Sequence, residues 1–230
     1  MSRGRLDYSV DPELAARLGS VASLDRRGDV VFLEDFSEGA FRWQITPLGA
    51  GSSVALDTTR YRSKGFSCKM VTANVGNGSV EIFRYFPVPL YSGIGLEVSF
   101  STTGALGNLQ FYVRLQTAVS YRQFTAMYNV QTGLLQIFRQ GLAAVNCNLP
   151  ETLMVDTYLF HTLKLVGDYK TNRYMRLLLD NFYIDLSAYE CHTVTPGGVP
   201  YLQVTLTAFP DPVDSENYWI DDIILTQSEV

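Results

Sequence analysis

The 230-residue sequence predicts an all-β chain, an antiparallel β-sandwich of the jelly-roll type with a short arm in front. Three observations carry that expectation. Alternating apolar and polar residues recur in short runs from Val30 onward, the period-two pattern of strands with one buried face. Turn signals interrupt these runs roughly every 8–15 residues, as in sandwiches rather than βαβ units. Helical periodicity is absent beyond residue 19.

Residues 1–28 form the predicted arm. Asp11 caps one small helix, Pro12 suits its first position and Gly19 its end, with Leu14 and Leu18 on one face. An arm this short buries no core of its own. It must lie on its own sandwich or on a neighbour, which makes Leu14 and Leu18 the candidate assembly contacts. The sandwich is predicted over residues 29–230, with a buried run at 30–33 and an acidic turn, Glu34 to Gly39, behind it. Half-buried strands follow at 53–57, 66–71 and 80–86, the last ended by Pro87 and Pro89. Gly95-Leu96-Glu97-Val98-Ser99-Phe100 alternates cleanly, and so does Leu109-Gln110-Phe111-Tyr112-Val113-Arg114-Leu115. Residues 121–130 and 134–139 bracket a hairpin with Gly133 at its tight turn. Strands at 160–166 and 174–179 lead through the two-residue turn Asp180-Asn181 into 182–186. Runs at 201–208 and 219–226 complete about twelve strands.

Composition narrows the function classes. Apolar residues make up 47% and charged residues 18%, a globular balance. The net charge is −5 and no Lys/Arg run stands out, which argues against nucleic acid as a partner. Arg outnumbers Lys by 14 to 4, a bias that suits protein interfaces. Cys68, Cys147 and Cys191 are widely spaced and form no C-x-x-C, so they read as free buried thiols. The opening residues lack an apolar stretch, so no secretory signal is expected. No run of about 18 apolar residues occurs, so no membrane insertion is expected. The expected compartment is a reducing cytoplasm.

No catalytic centre is expected. His161 lies mid-strand as a packing or hydrogen-bonding residue. His192 follows Cys191 directly, a spacing that does not give a thiol–imidazole pair. There is no G-x-S-x-G elbow, and no facing carboxylate pair of the glycosidase kind can be assigned.

Several segments resemble known jelly rolls. Phe36-Ser37-Glu38-Gly39 followed by Trp43, and Tyr61-Arg62-Ser63-Lys64-Gly65-Phe66-Ser67, resemble the opening of jelly-roll carbohydrate-binding modules. Tyr218-Trp219-Ile220-Asp221-Asp222-Ile223 resembles their closing strand. Tyr158 to Leu165, with Leu179-Asp180-Asn181, is similar to a stretch of concanavalin- and laminin-G-like domains. More loosely, Leu24 to Phe32 behind the arm resembles uncharacterised tailed-phage structural proteins.

These resemblances imply two sites. A structural Ca²⁺ between the first and last strands would draw on Glu34, Asp35, Glu38, Asp221 and Asp222, although neighbours on a regular strand face opposite ways. A sugar site would use aromatic platforms and polar side chains: Tyr112, Arg114, Tyr121 and Trp219 first, with Tyr85, Tyr128, Arg84, Arg122 and Gln123 nearby. The same tyrosines also read as ordinary half-buried strand residues. The expected function is a non-enzymatic interaction protein of a larger assembly, a capsid-decorating or tail-associated virion component that binds protein partners or itself. The alternative is a glycan-binding module, and a polysaccharide hydrolase or lyase is the remote third.

Overall fold

The computed structural model describes residues 24, 25, 27–47, 49–63, 65–73, 78–88, 90–103, 107–149, 153, 159–195, 197–210 and 215–230. The helix expected over residues 11–19, with Leu14 and Leu18, lies outside the described residues.

Two eight-stranded antiparallel sheets enclose one core. Sheet 1 contains β1 (Asp29–Glu34), β3 (Ser53–Asp57), β4 (Ser67–Val71), β6 (Gly93–Thr102), β11 (His161–Asp168), β12 (Arg173–Leu179), β13 (Phe182–Asp185) and β16 (Asn217–Gln227). Sheet 2 contains β2 (Gln44–Pro47), β5 (Val80–Phe86), β7 (Asn108–Gln116), β8 (Tyr121–Asn129), β9 (Leu134–Arg139), β10 (Ala143–Cys147), β14 (His192–Val194) and β15 (Tyr201–Phe209). Sheet 1 runs β13-β12-β11-β6-β16-β4-β3, with β1 also paired to β16. Sheet 2 runs β10-β9-β8-β7-β15-β5-β2, with β14 also paired to β8. Among the described residues the helical structure is one 3-10 turn, Gln140–Leu142. No described helix is long and apolar enough to cross a membrane.

Period-two alternation builds the core. Leu96, Val98 and Phe100 of β6 and Leu163 and Leu165 of β11 face Phe111 and Val113 of β7 and Val204 and Leu206 of β15. Gly133 turns the β8–β9 hairpin at φ 65°, where a side chain would be strained. The three cysteines are free and buried, and burial pushes the Cys147 thiol up to about 11.

The predicted strands are present. Three short strands, β2, β10 and β14, add to them: each has three to five residues and lies at a sheet margin, too short for alternation to announce it. The larger departure is β6. Its alternation predicts one solvated face, yet all ten of its residues are buried. Leu24, Asp25 and Arg27, the loop at 60–63 and the C-terminal residues supply hydrogen bonds on the polar side of sheet 1 around this strand.

Candidate functional site

The outer face of sheet 2 brings together most of the residues the sequence singled out. Alternation puts Gln110, Tyr112, Arg114 and Gln116 of β7 on one side, opposite the core residues Leu109, Phe111, Val113 and Leu115. Strand register then aligns side chains across the sheet. One row reads Tyr85 (β5), Gln203 (β15), Arg114 (β7), Gln123 (β8) and His192 (β14). The next reads Phe83, Thr205, Tyr112 and Thr125. Tyr201 and Tyr121 flank Gln116 on the other side. Five strands at about 4.8 Å spacing make the first row roughly 19 Å long.

The geometry within these rows is defined by hydrogen bonds. Arg114 donates from Nε and a terminal nitrogen to Gln123 Oε1 at 3.0 and 2.7 Å. Gln123 Nε2 in turn donates to Thr125 Oγ1 at 2.9 Å. The guanidinium carbon lies 4.7 Å from the Tyr121 ring centre and 5.3 Å from that of Tyr112, within cation–π range of both. His192 meets Tyr121 edge-on at 5.9 Å, and burial, then the charge of Arg114, holds its imidazole below the usual range. Tyr85 and Tyr201 meet edge-on at 4.9 Å, and Tyr85 is exposed. Glu81 is the carboxylate at the described strand positions of this face. It accepts from Thr207 Oγ1 at 3.3 Å, and burial raises it above the ordinary carboxylate range.

Other candidates lie elsewhere. Tyr128 belongs to the core. Trp219 stands on the outer side of sheet 1, only 3% exposed, where Nε1 donates to Asp57 and the Arg60 guanidinium stacks 4.0 Å above the ring. Tyr112 and Trp219 are thus on opposite sides of the molecule; Trp219 is covered, and Tyr112, Gln123, Gln203 and His192 are also buried, so that Tyr85, Arg114 and Tyr121 are accessible members of their rows. Arg84 stacks on Phe32 and pairs with Glu34 at 3.9 Å, and Arg122 donates to the Tyr169 carbonyl at 2.9 Å. Sequence reasoning missed Gln203, Thr205, Tyr201 and His192. The alternation in Gln203-Val204-Thr205-Leu206-Thr207 marks the first two as outward, but not that β15 lies between β5 and β7.

Asp221 and Asp222 do reach the same loop. A bulge in β16, with Asp222 at φ 48° and a register shift between Asp221 and Ile224, overrides the alternation of a regular strand. Asp221 Oδ2 accepts the backbone N–H groups of Arg62 and Ser63 at 2.8 and 3.0 Å. Asp222 accepts from Ser63 Oγ at 2.6 Å and pairs with Arg62 at 3.2 Å. Burial, then the neighbouring Asp222 charge, pushes Asp221 up to about 7. Asp35 lies close enough for its charge to raise Asp222. It accepts from Ser37 at 2.6 and 3.1 Å, while Glu38 pairs with Arg42 in solvent. A Ca²⁺ takes 6–8 oxygen ligands. Among the described residues no three His, Cys, Asp or Glu side chains group to hold a metal, and protein donors fill the Asp221–Asp222 pair.

No family model matches the chain, and no curated protein sequence matches it. Solved structures do. An endo-β-1,4-glucuronan lyase from the fungus Trichoderma reesei superposes with TM-score 0.61 at 8% identity, over 87% of this chain and 96% of that one. The cellulose-induced protein Cip1 gives 0.56 at 19% identity, over 86% and 98%. A carbohydrate esterase of Shiga toxin-encoding bacteriophage phi24B gives 0.56 at 14% identity, over 87% and 99%. At such identities the likeness is one of fold. On the strand order, the register and these superpositions, the chain is a concanavalin A-like jelly-roll sandwich.

Proposed function

We propose that the protein binds a polysaccharide chain along the outer face of sheet 2 and does not cleave it. The observation that carries this reading is the row Tyr85–Gln203–Arg114–Gln123–His192, with Tyr112 and Tyr121 beside Arg114. Aromatic rings supply flat apolar contact for sugar faces, and amide, hydroxyl and guanidinium groups fix orientation. The names of two superposed proteins, a glucuronan lyase and a carbohydrate esterase, point to the same ligand class. Hydrolysis of a glycosidic bond uses two carboxylates about 5–9.5 Å apart, whereas Glu81 stands without a second acid at the described strand positions of this face.

The virion-component reading rests on the looser resemblance of Leu24 to Phe32 and on the arm before it, whose residues 1–23 lie outside the described residues. The comparisons lend it no support, and the phage source of one superposed enzyme does not bear on it. The glycan-binding alternative is the better supported.

Affinity electrophoresis through gels loaded with a panel of polysaccharides tests the proposal. Retardation by at least one polymer is expected, weakened about tenfold by Tyr112→Ala or Tyr121→Ala. A chain that migrates unretarded through every polymer overturns the proposal. New reducing ends after incubation would overturn its non-catalytic half.

A further inference from the structure

We infer that the bound polysaccharide carries a carboxylated sugar, and that Arg114 recognises the carboxylate. The inference rests on the glycan-binding reading and assigns its ligand class. It starts from a contrast among the arginines. Arg27, Arg42, Arg62, Arg84, Arg173 and Arg176 each pair with a carboxylate within 4.0 Å. Arg122 is spent on a backbone carbonyl. Arg114 makes no ion pair among the described residues, although it is half-buried in the centre of the face.

A guanidinium has five N–H donors in a planar fork suited to carboxylates. Arg114 turns two toward the neutral oxygen of Gln123, and Thr125 fixes Gln123 from behind. The two tyrosine rings hold the group in place without neutralising it. Its remaining donors are therefore oriented before any ligand arrives, which lowers the ordering cost of binding. Glu81 does not compete for them: it stands two strands over and toward another row, bonded to Thr207.

The rest of the face decides the density of charge. Gln110, Gln116, Gln123 and Gln203 are neutral amides, and the chain as a whole carries −5. A polymer with an anion on every ring would meet one matching cation and a net repulsion. A chain with occasional carboxylated rings places one at Arg114 and offers hydroxyls to Gln110, the partly exposed glutamine of β7. Beside this position, His192 Nδ1 is buried with no hydrogen-bond partner among the described residues, at the end of the same row. A bound hydroxyl or carboxylate oxygen would satisfy it.

The test measures affinity for glucuronoxylan and for the same polymer after chemical reduction of its carboxyls, with neutral xylan, polyglucuronate and sialyllactose alongside. Glucuronoxylan should bind at least about tenfold more tightly than its reduced form, equivalent to about 1.4 kcal/mol. Arg114→Gln should erase that difference while leaving the thermal melt unchanged, and Arg114→Lys should restore only part of it. Rising salt should weaken binding to the native polymer alone. Equal affinity for native and reduced polymer, or an undiminished preference in Arg114→Gln, overturns the inference and leaves glycan binding standing. Tighter binding to polyglucuronate than to glucuronoxylan overturns the sparse-charge part, and preference for sialyllactose overturns the polymer part. Failure to bind any polymer, neutral or charged, removes the glycan reading itself.

Discussion

The two sheets present outward faces that look alike in sequence and differ in kind. β6 of sheet 1 turns Glu97, Ser99 and Ser101 away from the core, and β7 of sheet 2 turns Gln110, Tyr112, Arg114 and Gln116 away from it. On sheet 1 the polar groups are consumed internally. Lys164, fully buried, pairs with Glu229 at 2.7 Å and donates to the Asp25 carbonyl at 2.8 Å. Arg176 bonds Asp25 at 3.2 Å, Glu229, and the Val230 carbonyl at 2.6 Å. Leu24 N–H closes on Glu97 at 2.6 Å. Gly95 leaves room for this closure, since a Cβ there would stand 2.7 Å from Glu229 Oε1. On sheet 2 Arg114 has only neutral partners among the described residues. A polar outward strand is thus a second buried layer where chain ends cover it, whereas the β7 face keeps Gln110 and Arg114 partly exposed amid buried Tyr112, Gln116 and Gln203, a narrower candidate recognition surface.

The largest expected effect is on the covered face. Lys164→Met removes the cation between Asp25 and Glu229, leaving carboxylates buried with part of their compensation gone. A loss of about 3–5 kcal/mol in urea-induced unfolding is expected. Deleting residues 1–28 removes Asp25 and both carbonyls that accept from Lys164, and should cost a similar amount. Deletion of residues 1–23 keeps these contacts and should leave the midpoint within about 0.5 kcal/mol. Equal stability of the two truncations would mean that the ionic cluster does not close this face.

Trp219→Ala and Tyr112→Ala separate the faces by readout. Trp219 lies under Arg60 and bonds Asp57, so its loss should cost about 3 kcal/mol of stability and leave glycan affinity unchanged. Tyr112→Ala should lower affinity about tenfold at a comparable cost in stability, because Tyr112 is itself buried. A Trp219 variant that folds but no longer binds would break the assignment of the site to sheet 2.

Titration separates two regions of the covered face of sheet 1. Asp221 is raised from 3.8 to about 7, so the folded state holds its proton more tightly than the unfolded chain. Its stabilising contribution is full below pH 3.8 and is lost as pH rises toward 7. The shift converts to at most roughly 4 kcal/mol. About 2 kcal/mol is expected, because Asp221 and Asp222 titrate as a coupled pair that shares the shift. Asp25 acts oppositely. Burial raises it, but Arg27 and Lys164 more than offset that and hold it near 2, so its contribution is lost as pH falls below 3.8. Urea midpoints should therefore fall at both ends of the range. Asp222→Asn removes the neighbouring charge and should flatten the upper slope; an unchanged slope would assign it to another group.

Much of the fold was legible because alternation is a local property. Each run that alternates became a strand, and Gly133 and Asp180-Asn181 turned where expected. β14 has three residues and takes its strand character from Gln123, Arg122 and Tyr121 across the ladder. Tyr112, Arg114, Tyr121 and Gln123 were legible as one site because β7 and β8 form a local antiparallel pair. Gln203 and His192 were not, since β15 and β14 reach that site from far along the chain. Trp219 misled for a related reason: its strand belongs to the other sheet, and the Arg60 that covers it lies far away in sequence.

The smallest expected effect compares two outward polar residues directly. Ser99 and Gln110 hold equivalent places in alternating strands of the two sheets. Ser99 is fully buried, accepts from Arg62 at 2.7 Å and shares a hydrogen bond with Thr162 at 3.1 Å. Ser99→Ala leaves the buried Thr162 hydroxyl without this partner, while Arg62 keeps Asp222 and solvent, which should cost about 1 kcal/mol. Gln110 is only partly buried, so water can replace its amide's contacts, and Gln110→Ala should cost less than about 0.5 kcal/mol. Chemical unfolding of the two variants at pH 7 compares them under one condition. If both cost the same, burial beneath the chain ends is not what distinguishes Ser99 from Gln110, and the accessibility assigned to Gln110 and Arg114 on sheet 2 fails with it.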